Sequence, residues 1–248
     1  MTVGQHEVIA IAAALGDTYG IGYQQDLPWS IPGDWEWFQR ITTKPYTSDT
    51  TLERYSFEKD SDWHNIVIMG RLSWESIPMQ QRPHHNRYNI VVSSQASYNV
   101  HAVEKWEHAT LVNSIQDALA LATQLKKNHG RIFILGGEQI YRQMIGQDTP
   151  HCTHILLTHI QHTPSPSPPT PARLQLGSKY DETADDTLCN NNNSNKIECD
   201  TFFPSIDPAH FRTASHQELQ LFVQESVPSG LQIHDPFQYE FRLYVRRE

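Results

Sequence analysis

The feature that most constrains the fold is a short, uninterrupted apolar run near the start of the chain, VIAIAAAL at Val8–Leu15. A run of this length that ends at Gly16-Asp17 is typical of a strand buried in a sheet that is covered on both faces. Further apolar runs at 65–69, 88–92, 109–113, 131–135 and 153–160 predict more strands. We therefore expect a central sheet with other elements packed above and below it.

The end of the chain has a different pattern, because alternate residues from Phe237 to Val245 are apolar. Strict alternation is the mark of a strand with one buried face. The segment around Leu219 and Phe222, followed by a Pro-Ser-Gly turn, is predicted to complete a terminal hairpin with this strand.

Composition limits the classes of protein to consider. The chain has 248 residues and is 38% hydrophobic, enough to bury a full core in one large domain or two small ones. Its formal net charge of −9 argues against non-specific binding to nucleic acid, which is a polyanion. The cysteines number three, are unevenly spaced and lack a CxxC pair, which suits free thiols in a reducing compartment. Without an apolar run of membrane-span length or a signal-peptide pattern, we expect a soluble cytosolic protein.

The segment Gly20–Thr43 is predicted to contain a helix that begins near Pro32, in SIPGDWEWFQRITT. An acidic residue lies within the apolar stripe of this helix. Ile31, Phe38 and Ile41 form the stripe at helical spacing, and Asp34 falls inside it. Asp34 is then either an exposed first-turn acid that complements the helix dipole or a buried acid. Burial would raise its pKa towards neutrality, as a proton donor at cellular pH requires.

Two predicted strands run directly into glycine and then into a helix, at Gly70-Arg71 and at Gly136-Gly137. Unpaired N–H groups at such helix starts attract phosphate. Ordinary explanations stay open, since Arg71 also suits a surface position and a Gly-Gly pair also suits a tight turn. Neither sequence is GxGxxG, so the usual two-lobed dinucleotide-binding fold is not indicated.

Two segments interrupt the pattern of strands and helices. Residues 44–62 are polar without periodicity, and residues 162–198 are rich in proline, serine and asparagine with little to bury. We expect both to be surface insertions in a single domain spanning 1–248, the second without fixed structure. A metal site is not expected at the histidines of residues 151–162, because this stretch has a strand-like pattern and its histidines project to different sides. These are His151, His154, His159 and His162.

Motifs along the chain carry a family resemblance. In order they are GIGYQQDLPW with its acid-bearing helix, VIMGRLSWESIP, the arginine before NIVVSS, ILGGEQIY, LLTHI and DTFFP. In this order they resemble the dihydrofolate reductase family, over most of the chain apart from the two insertions. The resemblance implies a single α/β domain with a mostly parallel central sheet, an antiparallel C-terminal strand and helices on both faces. It implies NADPH-dependent reduction of 7,8-dihydrofolate to 5,6,7,8-tetrahydrofolate by a cytoplasmic monomer that antifolates target.

The resemblance also implies roles for individual residues. Asp34 matches the family's active-site acid, Thr158 matches the threonine that hydrogen-bonds it, and Leu27 and Trp29 match the loop that closes over the site. The implied substrate-binding residues are Ala12, Asp34, Trp35, Phe38, Ile77, Arg87, Leu135, Tyr141 and Thr158, with Arg87 on the α-carboxylate of the glutamate tail. The implied cofactor-binding residues are Ala14, Ile21, Gly22, Gly70, Arg71, Leu72, Ser73, Ser93, Ser94, Gly136, Gly137, Gln139, Ile140 and Tyr141. Asp200 matches an aspartate whose loop braces Gly20–Trp29.

Some positions depart from the family pattern. His84 stands where a leucine usually packs on the substrate, Ala12 where a larger aliphatic residue is common, and Gln139 where some members have a cation. Two alternatives stay open. One is a reductase of the same fold for another heterocycle, such as the riboflavin-pathway pyrimidine reductase, and the other is a catalytically silent module that binds folate or nucleotide. Arg87 and the LPW motif with Asp34 favour folate reduction.

Overall fold

The structure is a computed structural model that describes residues 7–46, 64–95, 98, 103, 105–125, 130–146, 151–163 and 197–247. Most of the two expected insertions, at 47–62 and 164–196, therefore lies outside the described residues. The first residues of the earlier insertion pack on the domain, because Tyr46 donates a hydrogen bond to the carbonyl of Ile41 and its ring lies 6.3 Å from that of Phe133.

Strands and helices follow one another along most of the described chain. The strands are β1 (Val8–Leu15), β2 (Gly20–Gly22), β3 (Asn65–Gly70), β4 (Arg87–Val92), β5 (Ala109–Val112), β6 (Ile132–Gly136), β7 (His154–His162), β8 (Thr201–Phe202), β9 (Phe211–Thr213), β10 (Gln232–His234) and β11 (Phe237–Arg246). The helices are α1 (Pro32–Thr43), α2 (Arg71–Ser76), α3 (Ile115–Leu125), α4 (Glu138–Ile145) and α5 (His216–Val223), with a 3-10 turn at Met79–Gln81.

Within the described residues the main sheet has the strand order β10-β11-β7-β1-β6-β3-β4-β5, and β9 pairs with β11. The pairs from β7 to β5 are parallel, whereas β11 runs antiparallel to β7 and to β10. This arrangement confirms the expected α/β fold with a mostly parallel sheet and an antiparallel C-terminal strand. In such sheets the carboxyl ends of the parallel strands form the edge where ligands bind.

Helices cover both faces of the sheet. Ala10 and Ala14 of β1 join one core cluster with buried residues of α3 and α4. Ile9 and Ile11 project to the other face and join buried residues of α1, α2 and α5. The apolar run of β1 has no polar alternation because both of its faces enter a core.

The terminal hairpin differs from the sequence prediction, because the segment around Leu219 and Phe222 is helical. Ser215 accepts a hydrogen bond from the backbone N–H of Glu218, and the Glu218 carboxylate accepts one from the backbone N–H of Ser215. This capping box starts α5, and residues four apart, Leu219 and Val223, bury one side of the helix. The prediction of a strand there is wrong, and β10 is the strand that pairs with β11 in the hairpin.

Candidate active site

The acid in α1 lies over a row of side chains that the sheet register places side by side. Ala13 of β1 is paired with Thr158 of β7, and Thr158 is paired with Phe241 of β11. Asp34, in the first turn of α1, approaches the Thr158 hydroxyl from above this row. The Tyr239 hydroxyl lies against the adjacent Gly33. The carboxyl group therefore lies between a helix start and the carboxyl-terminal half of the central strands.

Burial changes the acidity of Asp34. Although part of the side chain reaches solvent, desolvation raises its pKa from 3.8 to about 6, and the nearby Thr158 hydroxyl only partly opposes this rise. Thr158 Oγ1 is itself buried and makes no hydrogen bond within the described part of the chain. The two groups are close, but they are not within hydrogen-bonding geometry. An acid with a pKa of about 6 beside an unsatisfied hydroxyl is suited to hold a polar ligand and to exchange a proton with it.

The segment from Gly20 to Trp29, which we call the site loop, contains β2 and leads to α1. Trp29 is buried against the core of the α1 face, whereas Leu27 is 51% exposed. The N-terminal part of this loop is held by the segment Asp200–Phe203, through the pairing of β2 with β8. Asp200 Oδ2 accepts a hydrogen bond from the backbone N–H of Gln24 at 2.8 Å. The brace that the resemblance implies for Asp200 is thus present as a direct contact.

Arg87, at the start of β4, is almost fully buried, and its hydrogen-bond partners among the described residues are neutral. It donates from Nη1 to Thr42 Oγ1 at 2.7 Å, from Nη2 to Gln39 Oε1 at 2.7 Å and from Nε to the carbonyl oxygen of His85 at 3.0 Å. Burial lowers its pKa to about 10, so it remains cationic at neutral pH. Each terminal nitrogen keeps a further donor for another acceptor.

A groove of about 370 Å³ opens beside this guanidinium. It is lined by Trp35, Gln39, Thr43, Gln80, Gln81, His84, His85, Asn86 and Arg87. His84 packs edge-on against Phe38 with ring centroids 5.7 Å apart. Burial, with Arg87 and His85 nearby, lowers the pKa of His84 to about 3, so its ring is neutral at pH 7. The groove therefore offers one buried cation, neutral hydrogen-bonding groups and aromatic surface.

Two glycine-ended strands lie side by side at the carboxyl edge of the sheet. β3 and β6 are parallel neighbours, with Met69 opposite Gly136. The helices that follow, α2 and α4, start at Gly70 and Gly137, and neither glycine can supply a side-chain cap. Both helix starts, with their unpaired first N–H groups, therefore lie at the carboxyl edge of the sheet.

Gly136 is packed closely and has a backbone conformation that side chains avoid. Its φ is +99°, and a Cβ atom there would lie 2.6 Å from the ring of Tyr141. A Cβ atom on Gly137 would lie 3.2 Å from Ser73 Oγ. The turn thus brings α4 and α2 together with backbone alone between them, as a ligand phosphate requires.

The other residues expected at the cofactor differ in their exposure. Arg71 forms an ion pair with Glu75 at 2.7 Å, and its guanidinium lies 5.6 Å from the centre of the Tyr98 ring. Buried residues of this set are Ala14, Ser93, Ile140 and Tyr141. Exposed residues are Leu72, Ser94 and Gln139, while Ile21 and Gly22 are partly buried in β2. Tyr141 donates a hydrogen bond from its hydroxyl to the carbonyl of Ile11 at 2.7 Å.

The structure brings together most residues expected around the acid, but the side chains of Ala12 and Tyr141 belong to the core cluster on the opposite face of the sheet. Phe38, Ile77 and Leu135 are partly buried on the same face as Asp34. Ala12 projects to the opposite face, and Ala13 is the alanine of β1 on the side of Asp34. Adjacent residues of a strand project to opposite faces of the sheet, so Ala12 and Ala13 lie on different faces.

Sequence reasoning also missed Gln39 and Thr42, the side chains that hold Arg87. Their spacing of three places them on one side of α1, which is a signal that they share a neighbour. No part of the sequence indicates that this neighbour is Arg87.

Within the described residues, no group of three or more histidine, cysteine or acidic side chains is arranged to hold a metal ion. Three of the four histidines around β7 contact aromatic side chains within the described residues, and one of the three, His162, packs edge-on against Phe237. His159 shares a hydrogen bond of 2.6 Å with the Tyr244 hydroxyl, and His154 stacks on Phe222 at 4.3 Å. Nor is any helix in the described part of the chain long and apolar enough to cross a bilayer.

The fold and site define an α/β protein with a buried acid and a glycine-rich edge on a mostly parallel sheet. A family model described as dihydrofolate reductase matches residues 53–172. The chain is 28% identical to the dihydrofolate reductase of Pneumocystis carinii over 98% of this chain and 99% of that one. It is 29% identical to the dihydrofolate reductase of Candida albicans, over 97% of both chains.

A solved structure of similar fold is the dihydrofolate reductase from Enterococcus faecalis complexed with NADP(H) and RAB-propyl, with a TM-score of 0.59 and 22% identity. The match covers 98% of each chain. The family model and the full-length relatives thus show that the chain is similar to dihydrofolate reductases along nearly its whole length.

Proposed function

We propose that the protein reduces 7,8-dihydrofolate to 5,6,7,8-tetrahydrofolate with NADPH, and so supplies one-carbon metabolism and thymidylate synthesis. The observation that carries the proposal is the position of Asp34, a carboxyl group with a pKa of about 6 beside the buried hydroxyl of Thr158. The names of the relatives support the same reaction. Asp34 and Thr158 are the proposed active-site pair.

The proposed substrate lies with its pterin ring at Asp34 and its tail in the groove beside Arg87. The carboxyl of Asp34 and the hydroxyl of Thr158 hold polar edge atoms of the ring, and Asp34 guides a proton towards N5, by way of a water molecule. Leu27 and Trp29 of the site loop close over the ring and exclude solvent. Aliphatic and aromatic contacts come from Trp35, Phe38, Ile77 and Leu135, with Ala13 in place of Ala12 as the alanine of β1 on this face.

Arg87 is suited to the α-carboxylate of the glutamate tail. Its free donors on Nη1 and Nη2 can grip a carboxylate with two parallel hydrogen bonds. Because the present acceptors are all neutral, the positive charge of the buried guanidinium has no carboxylate partner among them. A carboxylate ligand would satisfy both its charge and its donors.

The glycine-rich edge fits a dinucleotide. The uncapped starts of α2 and α4 offer N–H groups to phosphates, and at Gly136 a side chain would meet the ring of Tyr141. When bound there, NADPH supplies the hydride for pterin C6. The proposed cofactor contacts are Ala14, Ile21, Gly22, Gly70, Arg71, Leu72, Ser73, Ser93, Ser94, Gly136, Gly137, Gln139, Ile140 and Tyr141.

We further propose a cytoplasmic monomer that antifolates inhibit and that binds no nucleic acid. The net charge of −9 supports the last point, because polyanions repel acidic proteins. We propose one domain over 1–248, with the two insertions on its surface. No contact of the described residues favours another heterocycle or a catalytically silent module.

The test follows absorbance at 340 nm while the purified protein meets NADPH, with and without dihydrofolate, over pH 5.5 to 8. We expect substrate-dependent oxidation of NADPH that methotrexate blocks. We also expect turnover to decline as pH rises above about 6, because Asp34 then loses its proton. Binding of NADPH without turnover of dihydrofolate would favour a reductase for another heterocycle. Failure to bind either ligand would overturn the proposal.

A further inference from the structure

The first residue of α4 makes a contact that its position in the helix does not explain. Glu138 directly follows the Gly136-Gly137 turn, and its Oε1 accepts a hydrogen bond from Arg142 Nε at 2.9 Å. Its other oxygen, Oε2, accepts a hydrogen bond from the backbone N–H of Phe202 at 2.9 Å, 64 residues away in the chain. A first-turn acid that only complemented the helix dipole and paired with the next turn would need the first contact alone.

Glu138 reaches a short segment, Asp200–Phe203, that we call the bridge segment. A second contact fastens the same segment to α4, since the rings of Tyr141 and Phe203 lie 4.7 Å apart. Tyr141 is also the ring packed against Gly136. The bridge segment is thus attached to the helix that begins at the glycine turn by one hydrogen bond and one aromatic contact.

The opposite side of the bridge segment holds the site loop. Thr201 and Phe202 form β8, which pairs with β2 in the loop. The backbone N–H of Phe203 donates to the carbonyl of Tyr19 at 2.8 Å, and that of Asp200 donates to the carbonyl of Gly22 at 3.0 Å. The Asp200 carboxylate adds the bond to the Gln24 N–H. The loop is therefore connected to the glycine turn through the bridge segment and Glu138.

The direction of the Glu138 side chain is important because its carboxylate is charged. A carboxylate one residue beyond a phosphate-binding turn would repel the phosphates if it faced them. Burial by itself would raise the pKa of Glu138, but the Phe202 N–H and Arg142 hold it below its ordinary value, so the group is ionised. These two donors keep the negative charge on the side of the bridge segment.

We propose that Glu138 is a positioning residue that couples the cofactor turn to the site loop, by fastening the bridge segment to the start of α4. The proposal rests on the proposed use of NADPH at this turn. When the cofactor binds and orders the start of α4, the site loop also becomes ordered. Conversely, a site loop that is closed over substrate slows the release of the cofactor. Coupling between two sites is reciprocal. Bound cofactor therefore changes the binding free energy of the substrate by the same amount as bound substrate changes that of the cofactor.

The first experiment measures NADPH release by stopped-flow fluorescence for wild type, Glu138→Ala, Glu138→Gln and Arg142→Gln. Glu138→Ala is expected to speed release by about fivefold or more, the lower end of typical couplings. Glu138→Gln keeps an oxygen that accepts the Phe202 N–H, so it is expected to rescue the wild-type rate. Arg142→Gln removes the ion pair alone and serves as the matched control. Thermal unfolding of each variant identifies any loss of folding.

A second measurement does not depend on turnover or on bound cofactor. Hydrogen exchange of the backbone amides at 19–26 is followed in the free protein, including the Gln24 N–H that Asp200 accepts. Glu138→Ala is expected to speed this exchange, and Glu138→Gln to leave it unchanged.

The double variant Asp200→Ala/Glu138→Ala is expected to release NADPH no more than about twofold faster than Asp200→Ala alone, because both substitutions act on the bridge segment.

The proposal is overturned if Glu138→Ala releases NADPH at the wild-type rate and leaves exchange in the site loop unaltered. It is also overturned if Glu138→Gln behaves like Glu138→Ala, since charge rather than the bond to Phe202 would then be responsible. A wild-type protein that binds no NADPH would instead refute the proposed function. The exchange measurement would still report whether Glu138 holds the loop.

Discussion

Asp34 combines a functional position with a cost in stability. Its pKa is higher in the folded protein than the ordinary value of 3.8, so the native state holds its proton up to about pH 6. The favourable effect of this proton on folding is present below pH 3.8 and is lost as pH rises through about 6. At neutral pH the buried carboxylate therefore destabilises the fold, as expected of groups retained for activity.

We predict that Asp34→Asn stabilises the protein at pH 8 while it abolishes most turnover and leaves NADPH affinity nearly intact. The gain in unfolding free energy is at most about 3 kcal/mol, because the pKa of Asp34 rises from 3.8 to about 6 on folding. Urea unfolding at pH 8 and pH 5 tests this, with a smaller gain expected at pH 5. Equal loss of turnover and NADPH binding would contradict the role of Asp34.

Arg87 offers a second test at the residue scale, through its neutral partner. Gln39→Glu would place a carboxylate where Gln39 Oε1 now accepts from Nη2 at 2.7 Å. The new ion pair competes for the guanidinium, so we expect the KM for dihydrofolate to rise about tenfold or more. We expect kcat and NADPH affinity to change little.

The matched control for that change is Gln80→Glu, which adds the same charge to the groove at a residue without a bond to Arg87. Steady-state kinetics with dihydrofolate would give nearly the wild-type KM for this control. An equal rise in KM for both variants would indicate general repulsion of an anionic substrate.

Among the elements, the glycine turn before α4 is the most constrained. We predict that Gly136→Ala destabilises the fold by more than Gly230→Ala, because both have positive φ, +99° and +67°, but only Gly136 has a neighbour in the way. Backbone strain alone costs about 1 kcal/mol in either case, and the Tyr141 ring must move in the first. Thermal unfolding and NADPH titration would measure both effects, and equal stabilities would refute the packing argument.

The helix α5 shows where local pattern was misread. An apolar segment before a turn suggested a strand, but Ser215 and Glu218 form a capping box that satisfies the first N–H groups of a helix. The S-x-x-E signal was present in the sequence and outweighs a short apolar run. The central strands, by contrast, were predicted closely, because a continuous run of apolar and β-branched residues has few other uses.

At the scale of the whole molecule, buried histidines should make the fold sensitive to acid. Burial lowers the pKa of His84 to about 3 and that of His159 to about 4, with Arg87 and Arg242, respectively, adding to the effect. Each histidine thus favours the folded state above its unfolded pKa of 6.5, and this contribution is lost as pH falls.

We predict that the wild-type protein loses stability between pH 7.5 and pH 5, and that His84→Leu and His159→Gln each reduce the loss by at most about 2 kcal/mol. Glutamine at 159 can still bond the Tyr244 hydroxyl, which keeps the packing comparable. Urea unfolding at both pH values measures the change. A pH dependence identical to wild type in both variants would show that other groups control acid unfolding.

The sequence by itself determined the central strands and the candidate chemistry. The strands, the glycine turns and the acid within an apolar stripe depend on local periods and on residues such as glycine, whose properties hold in any context. Only the tertiary structure decided which of these groups meet. The register that places Ala13, Thr158 and Phe241 in one row joins three strands far apart in the chain. The contacts of Arg87 with Gln39 and of Glu138 with Phe202 likewise depend on packing between distant elements. Local periodicity does not indicate which distant elements pair, because these contacts form only when whole layers pack against each other.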